Sequence, residues 1–285
     1  MWMGFQGSNH LLSDAMVHDF TTLRHPVEKL LEAEYFLDRL THANGLEFQF
    51  ELNAFLSASR SVTFVLQKVM SNVLGFARWY SPRQAEMKSD EAMRFFIELR
   101  NISQKEGPVS YVGCSLPGGG RTYRLVGRPH AVPGELIGLD ISDCCSAHVA
   151  KLARLLLECV AAFPYHSCPC RAFTKEGMAA LGYDWADIEA AVGLPAGYTA
   201  VSDIPVGEKL RILRREVEPL DTASIERIAA SPLLDSGKQQ FRATRGTDLV
   251  DDVAARMAPS AIASGLSREI FLSAILNRID DIENS

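Results

Sequence analysis

The pair Arg100 and Asn101 lies inside one of the most apolar helical stretches of this sequence. Residues 92–105, placed at about 100° per residue, form a helix with Asn101 on its polar face and Arg100 inside its apolar arc. That arc consists of Ala92, Met93, Phe95, Phe96, Ile97, Leu99 and Ile102. Because burying an unpaired guanidinium is very costly, Arg100 should meet a carboxylate, a subunit interface or a phosphate.

The residues alone leave the partner of Arg100 open. Glu32, Glu34 and Asp38 on the first predicted helix could form a structural ion pair with it. Alternatively, Lys105 follows Arg100 closely enough for the two cations to hold one phosphate. The first alternative makes Arg100 a packing residue, and the second makes it part of a binding site.

The helix also resembles a known motif. An arginine followed by a polar residue near a helix end resembles the HEPN superfamily, whose motif continues with a histidine after four to six residues. "FLSASRSVTFVLQ" at 55–67 looks like the second helix of bacterial members of that superfamily. The resemblance covers about residues 25–165. It implies a homodimer that juxtaposes two Arg100-containing helices, with RNA or nucleotide in the cleft, in a defence or toxin–antitoxin type system.

The sequence departs from the motif at its histidine, whose position Lys105 occupies. The resemblance implies a metal-independent ribonuclease in which that histidine is the acid and base. Lysine has a pKa near 10.4, so it is a poor base at neutral pH but can still hold phosphate. Arg100, Asn101 and Lys105 are therefore the candidate catalytic residues of a weak or inactive ribonuclease.

A glycine-rich segment offers a second phosphate candidate. Residues 109–128 read as a β-hairpin whose tip, Pro117–Gly120, is followed by Arg121 and Arg124. Such a tip could cradle phosphate, although a solvated strand face has the same pattern and no P-loop lysine follows. The candidate ligand-binding residues are Arg100, Lys105, Arg121 and Arg124.

The cysteines predict neither a metal site nor a disulfide framework. Cys168 and Cys170 with His166 lack the usual Cys-x2-Cys zinc spacing, and no second ligand pair follows. Serine-hydrolase, zinc-protease and dinucleotide motifs are missing from the sequence. We therefore expect reduced thiols, no metal and no cofactor.

Composition places the chain among ordinary globular proteins. Its 285 residues are 47% hydrophobic and 22% charged, with a net charge of −6. The negative charge argues against a general nucleic-acid coat. No apolar run approaches the roughly 18 residues of a membrane span, and the N-terminus lacks a signal-peptide pattern. We expect a cytoplasmic protein without a membrane partner.

Helical periodicity predicts a mainly α fold: an antiparallel, HEPN-like bundle with an inserted hairpin. The predicted division is a peripheral segment at 1–25, the bundle at 26–165 and a mostly helical region at 166–285. In that last region, 208–218 reads as a strand with basic residues on one face. Residues 174–193 read as two short helices, the second of which has no basic residue for DNA reading. Four long helices are predicted at about 26–44, 49–75, 89–107 and 142–163, with a loop at Tyr80–Arg83 and Ser89 as the N-cap of the third. Two more helices are predicted at about 247–257 and 266–283.

Another function fits the same residues. The chain could be a non-catalytic helical protein–protein interaction module, with Arg100 in a structural ion pair and the C-terminal part binding a partner protein. A third interpretation is an unrelated helical enzyme that uses the hairpin and the segment from Cys168 to Cys170. The position of Arg100, across a two-fold cleft or inside its own bundle, separates the first two interpretations.

Overall fold

The computed structural model describes residues 23–115, 121–127, 130–215, 217 and 219–231. All of them belong to one compact unit. Arg128, most of the predicted segment at 1–25 and the predicted helices at 247–257 and 266–283 lie outside the described residues.

Long helices dominate the described residues, which confirms the predicted mainly α fold. Three residues connect the first two helices, so these pack as an antiparallel hairpin. Their shared core includes Leu30, Phe55 and Leu66, each with no exposed surface. Each such side chain stabilises the fold by roughly 1.5–3 kcal/mol. The helices are α1 (Arg24–His42), α2 (Leu46–Met70), α3 (Phe76–Ser89), α4 (Glu91–Lys105) and α5 (Ile141–Ala162).

Helix α3 corrects the sequence prediction, which places a loop at Tyr80–Arg83. Pro82 lies inside the helix, at a cost of about 3 kcal/mol for a helix interior. Phe76 and Tyr80, one turn apart, are buried and stack on each other at 5.3 Å. Burial of these two rings outweighs the cost of the proline, so the helix continues through it.

Helix α4 begins one residue later than predicted. Asp90, and not Ser89, is its N-cap, because the Asp90 carboxylate accepts a hydrogen bond from the backbone N–H of Met93 at 2.9 Å. Lys151 Nζ also lies 2.5 Å from this carboxylate and ties α4 to α5. The cap and the ion pair together fix the start of the helix that carries Arg100.

The predicted hairpin is present as a two-stranded antiparallel sheet. Strand β1 (Tyr111–Ser115) pairs with β2 (Arg121–Leu125), with Gly113 opposite Tyr123. The Tyr123 ring stacks on Phe48 of α2 at 3.8 Å, so the hairpin is anchored to the bundle. Asp140, the N-cap of α5, accepts hydrogen bonds from Thr122 and Tyr123 of β2. The hairpin is therefore attached to α5 as well as to α2.

Short helices follow α5, and one of them corrects a prediction. Residues 208–218 read as a strand, but Leu210 and Leu213 are buried three positions apart, which is a helical spacing. They pack on Phe173 and Ile188 in a second, smaller core. The helices are α6 (Pro164–Ser167), α7 (Pro169–Ala172), α8 (Lys175–Leu181), α9 (Trp185–Ala191), α10 (Val206–Arg215) and α11 (Thr222–Ala229).

Helix α11 packs on the first core. Ile225 and Ile228 are buried there, and Arg227 forms a bidentate ion pair with Glu34 of α1. The predicted division at residue 165 stays a prediction. No helix in the described ranges is long and apolar enough to cross a bilayer.

Three thiols on α5 should resist alkylation in the folded protein. Burial raises the pKa of Cys144 and of Cys159 to about 12 and the pKa of Cys145 well above its ordinary range. At pH 8 their thiolate fractions should be on the order of a thousandfold lower than that of an ordinary thiol. Iodoacetamide labelling followed by mass spectrometry should leave all three unmodified until urea is added. The half-buried Cys170 serves as the internal reference, and labelling of Cys159 as fast as Cys170 would contradict this expectation.

Candidate functional site

The structure places Arg100 half-buried on α4. Its Nη1 donates to Asn101 Oδ1 at 3.3 Å, and its buried Nε has no hydrogen-bond partner among the described residues. The expected ion pair does not form within this part of the chain, because Glu32 pairs with Lys29 and Glu34 with Arg227. Arg100 and Asn101 therefore contact each other, while Lys105 is exposed at the last residue of α4.

The other two predicted ligand-binding residues lie on β2. Arg121 is exposed at the first residue of the strand, and Arg124 is half-buried opposite Val112. Arg121 borders an open cavity of about 660 Å³ that also contains Asp140 and Asp143. Arg100, Asn101 and Lys105 do not line this cavity, so the structure does not bring all the predicted residues together there.

A different cavity concentrates cations. Arg60 of α2, Lys88 of α3 and Arg94 of α4 line a cavity of about 120 Å³, here called the basic cavity. Its described lining contains no carboxylate. Its other polar side chains are Ser59, Thr63, Gln67, Tyr80, Gln84 and His148, and its apolar ones are Met87, Met93, Ile97 and Leu152. Such a cavity suits a small anionic group with an apolar stem.

His148 of α5 lines the basic cavity and also a smaller neighbouring cavity that Phe96 and Lys151 line. It is 7% exposed, and its ring stacks on Phe96 at 4.2 Å with an interplanar angle of 11°. Burial, helped by the positive charge of Lys151, lowers its pKa to about 3, so the imidazole is neutral at neutral pH. Its buried Nδ1 has no hydrogen-bond partner in the described structure. This nitrogen is a polar atom available to a ligand.

Helix α2 also exposes an apolar stripe beside the basic cavity. Leu46, Phe50 and Phe64 are 69%, 63% and 63% exposed and fall within about 40° of one another around the helix axis. Between them, this side carries the half-buried residues Asn53, Ala54, Ser57 and Ser61, and Arg60 lies at its edge. Arg60 is one turn before Phe64, so the stripe, here called the α2 stripe, adjoins the basic cavity.

Sequence reasoning missed the basic cavity because its cations come from three separate helices. Lys88 lies on α3, where the sequence predicts no helix. Arg60 and Arg94 have the pattern of ordinary solvated side chains. The α2 stripe had a detectable signal. Phe50 and Phe64 lie off the apolar stripe predicted for α2, at a spacing that returns to one face after four turns.

Comparison with known proteins connects part of the chain to a phage family. A family model described as Bacteriophage lambda protein ea47 matches residues 38–113, which include all of α2, α3 and α4. Protein ea47 of Escherichia phage lambda is 36% identical over 61 residues, covering 21% of this chain and 15% of that protein. The chain thus matches a small part of that relative's length. No solved structure matches the chain.

This match overturns the HEPN resemblance. The matching segment contains the helix with Arg100 and Asn101, and it connects that helix to the Ea47 family instead. A two-residue motif without its histidine was too short to identify a superfamily. The interpretation as an RNA- or nucleotide-binding, ribonuclease-like protein of a defence or toxin–antitoxin system was therefore wrong. The non-catalytic interaction module agrees better with these findings.

Proposed function

We propose that this protein is a non-catalytic helical module that binds another protein through one face of its bundle. The face consists of the α2 stripe and the adjoining rim of the basic cavity. The observation that carries the proposal is the exposure of Leu46, Phe50 and Phe64 on one side of a well-packed helix. Exposed aromatic and aliphatic side chains on one side of a helix can anchor a docked segment, and aromatic residues are the usual anchors of protein interfaces.

The charges of this face indicate what it binds. Arg60, Lys88 and Arg94 have no ion pair with a carboxylate in the described part of the chain. A partner helix or extended segment that carries both apolar and acidic side chains would complement the stripe and the cations together. A symmetric contact between two copies of this face would pair it with a patch that holds the same cations. The partner is therefore a different protein segment with acidic side chains. The homodimer expected from the sequence stays a separate prediction.

The predicted catalytic residues have a structural role in this proposal. Arg100 contacts Asn101 on the same helix, and Gln104, one turn later, donates to Ser57 of α2 at 3.3 Å. The Gln104–Ser57 contact holds α4 against α2. Arg100 contacts its own helix and does not take part in a reaction.

Peptide selection on the full chain tests this function. A display library of helix-length peptides should enrich sequences that combine aromatic or aliphatic residues with Asp or Glu. An enriched peptide should bind the double variant Phe50→Ser, Phe64→Ser at least about tenfold more weakly, because two anchors are lost.

Tyr198→Ser is the matched control for that experiment, since Tyr198 is 58% exposed but lies outside the α2 stripe. It should bind the enriched peptide like the wild type. Failure to enrich any peptide, or equal binding by the double variant, would contradict the proposed function. Selection of a peptide from this protein's own sequence would instead identify a segment of the chain as the occupant, and would also contradict it.

A further inference from the structure

The basic cavity has unbalanced charge. Arg60, Lys88 and Arg94 approach it from three helices, and Arg60 Nη1 donates only to the neutral hydroxyl of Thr63, at 2.8 Å. Within the described residues no carboxylate joins them in the cavity. Like charges around one cavity repel each other, and an anion placed between them would remove that repulsion.

His148 gives a second, independent indication of a ligand. More than nine-tenths of this residue is buried, and its Nδ1 has no hydrogen-bond partner in the structure as described. A buried polar atom without a partner costs about 1–3 kcal/mol. In the tautomer that carries the proton on Nδ1, the imidazole can donate to an oxygen in the cavity.

The size and walls of the cavity restrict the ligand. Its volume of about 120 Å³ is well below the roughly 300 Å³ at which pockets begin to hold a whole small molecule. Met87, Met93 and Ile97 supply an apolar wall that suits methylene groups. An anionic group on a short aliphatic stem fits these features, and a nucleotide does not.

We propose that the basic cavity receives the carboxylate of a glutamate or aspartate side chain from the docked partner. The inference rests on the proposed function, since it assigns an acidic anchor to the same interface. The carboxylate lies among Arg60, Lys88 and Arg94, and its stem lies against the methionines. His148, another lining residue, donates to it through Nδ1. Charge-assisted hydrogen bonds of this kind make such a side chain specific as well as tightly held.

The experiment uses a minimal probe, N-acetyl-glutamate N-methylamide, which has no apolar anchor for the α2 stripe. Titrated into the full ¹⁵N-labelled chain, it should produce saturable NMR shifts at the Arg94 side-chain Nε–H and the His148 ring. Added salt should weaken the binding. The matching glutamine derivative should produce no saturable shift at the same concentrations.

Variants and a second anion complete the test. Arg94→Gln should weaken glutamate binding about tenfold, by loss of a charge-assisted contact. Arg78→Gln changes an exposed arginine on α3 that does not line the cavity, and it should leave glutamate binding unchanged. His148→Phe keeps the ring stacking on Phe96 and should also weaken it.

Three results would overturn the proposal: no saturable shift, equal binding by Arg94→Gln, or tighter binding of inorganic phosphate than of the glutamate probe. These outcomes are distinct from failure of the proposed function. Loss of the glutamate site leaves peptide binding through Phe50 and Phe64 possible. A functional glutamate site without any peptide binding would refute the interaction module alone.

Discussion

Acidification from pH 8 to pH 5 should reduce the free energy of unfolding by about 2 kcal/mol through His148 alone. Burial lowers the pKa of this histidine from its ordinary 6.5 to about 3 in the folded protein. The unfolded chain therefore takes up the proton first as the pH falls. The stabilising effect of the neutral imidazole is complete above pH 6.5 and is lost progressively as the pH falls toward 3. Urea unfolding at a series of pH values measures the slope.

His148→Phe is the control for this pH dependence, because phenylalanine preserves the shape and the stacking on Phe96. Its unfolding free energy should change by about 2 kcal/mol less between pH 8 and pH 5. Asp90 does not interfere in this range. Burial raises the pKa of the Asp90 carboxyl, but hydrogen bonds from Lys151 and Met93 outweigh burial, and the pKa falls below its ordinary value near 3.8. The contribution of Asp90 to the free energy of unfolding is therefore lost only as the pH falls below about 3.8. Equal slopes for the variant and the wild type would contradict the assignment to His148.

Removal of the Asp140 carboxylate should destabilise the protein by about 2–4 kcal/mol. One of its oxygens accepts from the N–H and hydroxyl of Ser142, and the other accepts from the hydroxyl of Thr122 and the N–H of Tyr123. Asp140→Ala thus removes the N-cap of α5 and releases β2 at the same time. The midpoint of urea unfolding reports the loss.

Asp143→Ala is the matched control, since Asp143 is in the first turn of the same helix. Burial and the negative charge of Asp140 raise the pKa of its carboxyl, so its charge is disfavoured where it stands. This variant should be close to neutral in stability. If Asp140→Ala costs no more than Asp143→Ala, Asp140 does not connect the hairpin to the bundle as described.

Most of the bundle could be predicted from periodicity. Helices α1, α2, α4 and α5 carry apolar residues at helical spacing, and each buries that side in the core. Helix α3 could not be predicted this way, because Pro82 interrupts the pattern and the burial of Phe76 and Tyr80 that outweighs it is a tertiary effect. The strand predicted at 208–218 was wrong because a local pattern was misleading, since these residues form helix α10 up to Arg215. Their alternating basic residues imitate a strand, whereas Leu210 and Leu213 are packed as a helix.

Only part of the candidate site could be predicted. Arg100 was identified as unusual, and the structure does give it a buried Nε without a partner in the described region. The catalytic and phosphate-binding role of Arg100 was inferred from a motif too short to be specific. The basic cavity depends on how α2, α3 and α4 pack, and no local pattern brings Arg60, Lys88 and Arg94 together. His148 lies three positions after Cys145 and four before Leu152, a helical spacing, and all three are buried on α5.

The central claim is that the α2 stripe and the rim of the basic cavity bind an acidic, apolar protein segment. Hydrogen–deuterium exchange of the full chain, with and without a peptide enriched by selection, tests it most directly. We predict that the peptide slows exchange of backbone amides in the second half of α2, around Arg60 and Phe64, and in α4 around Arg94 and Ile97. Amides of α8 and α9 should be unaffected. Protection confined to α8 and α9 or to the hairpin, with α2 and α4 unchanged, would contradict the account.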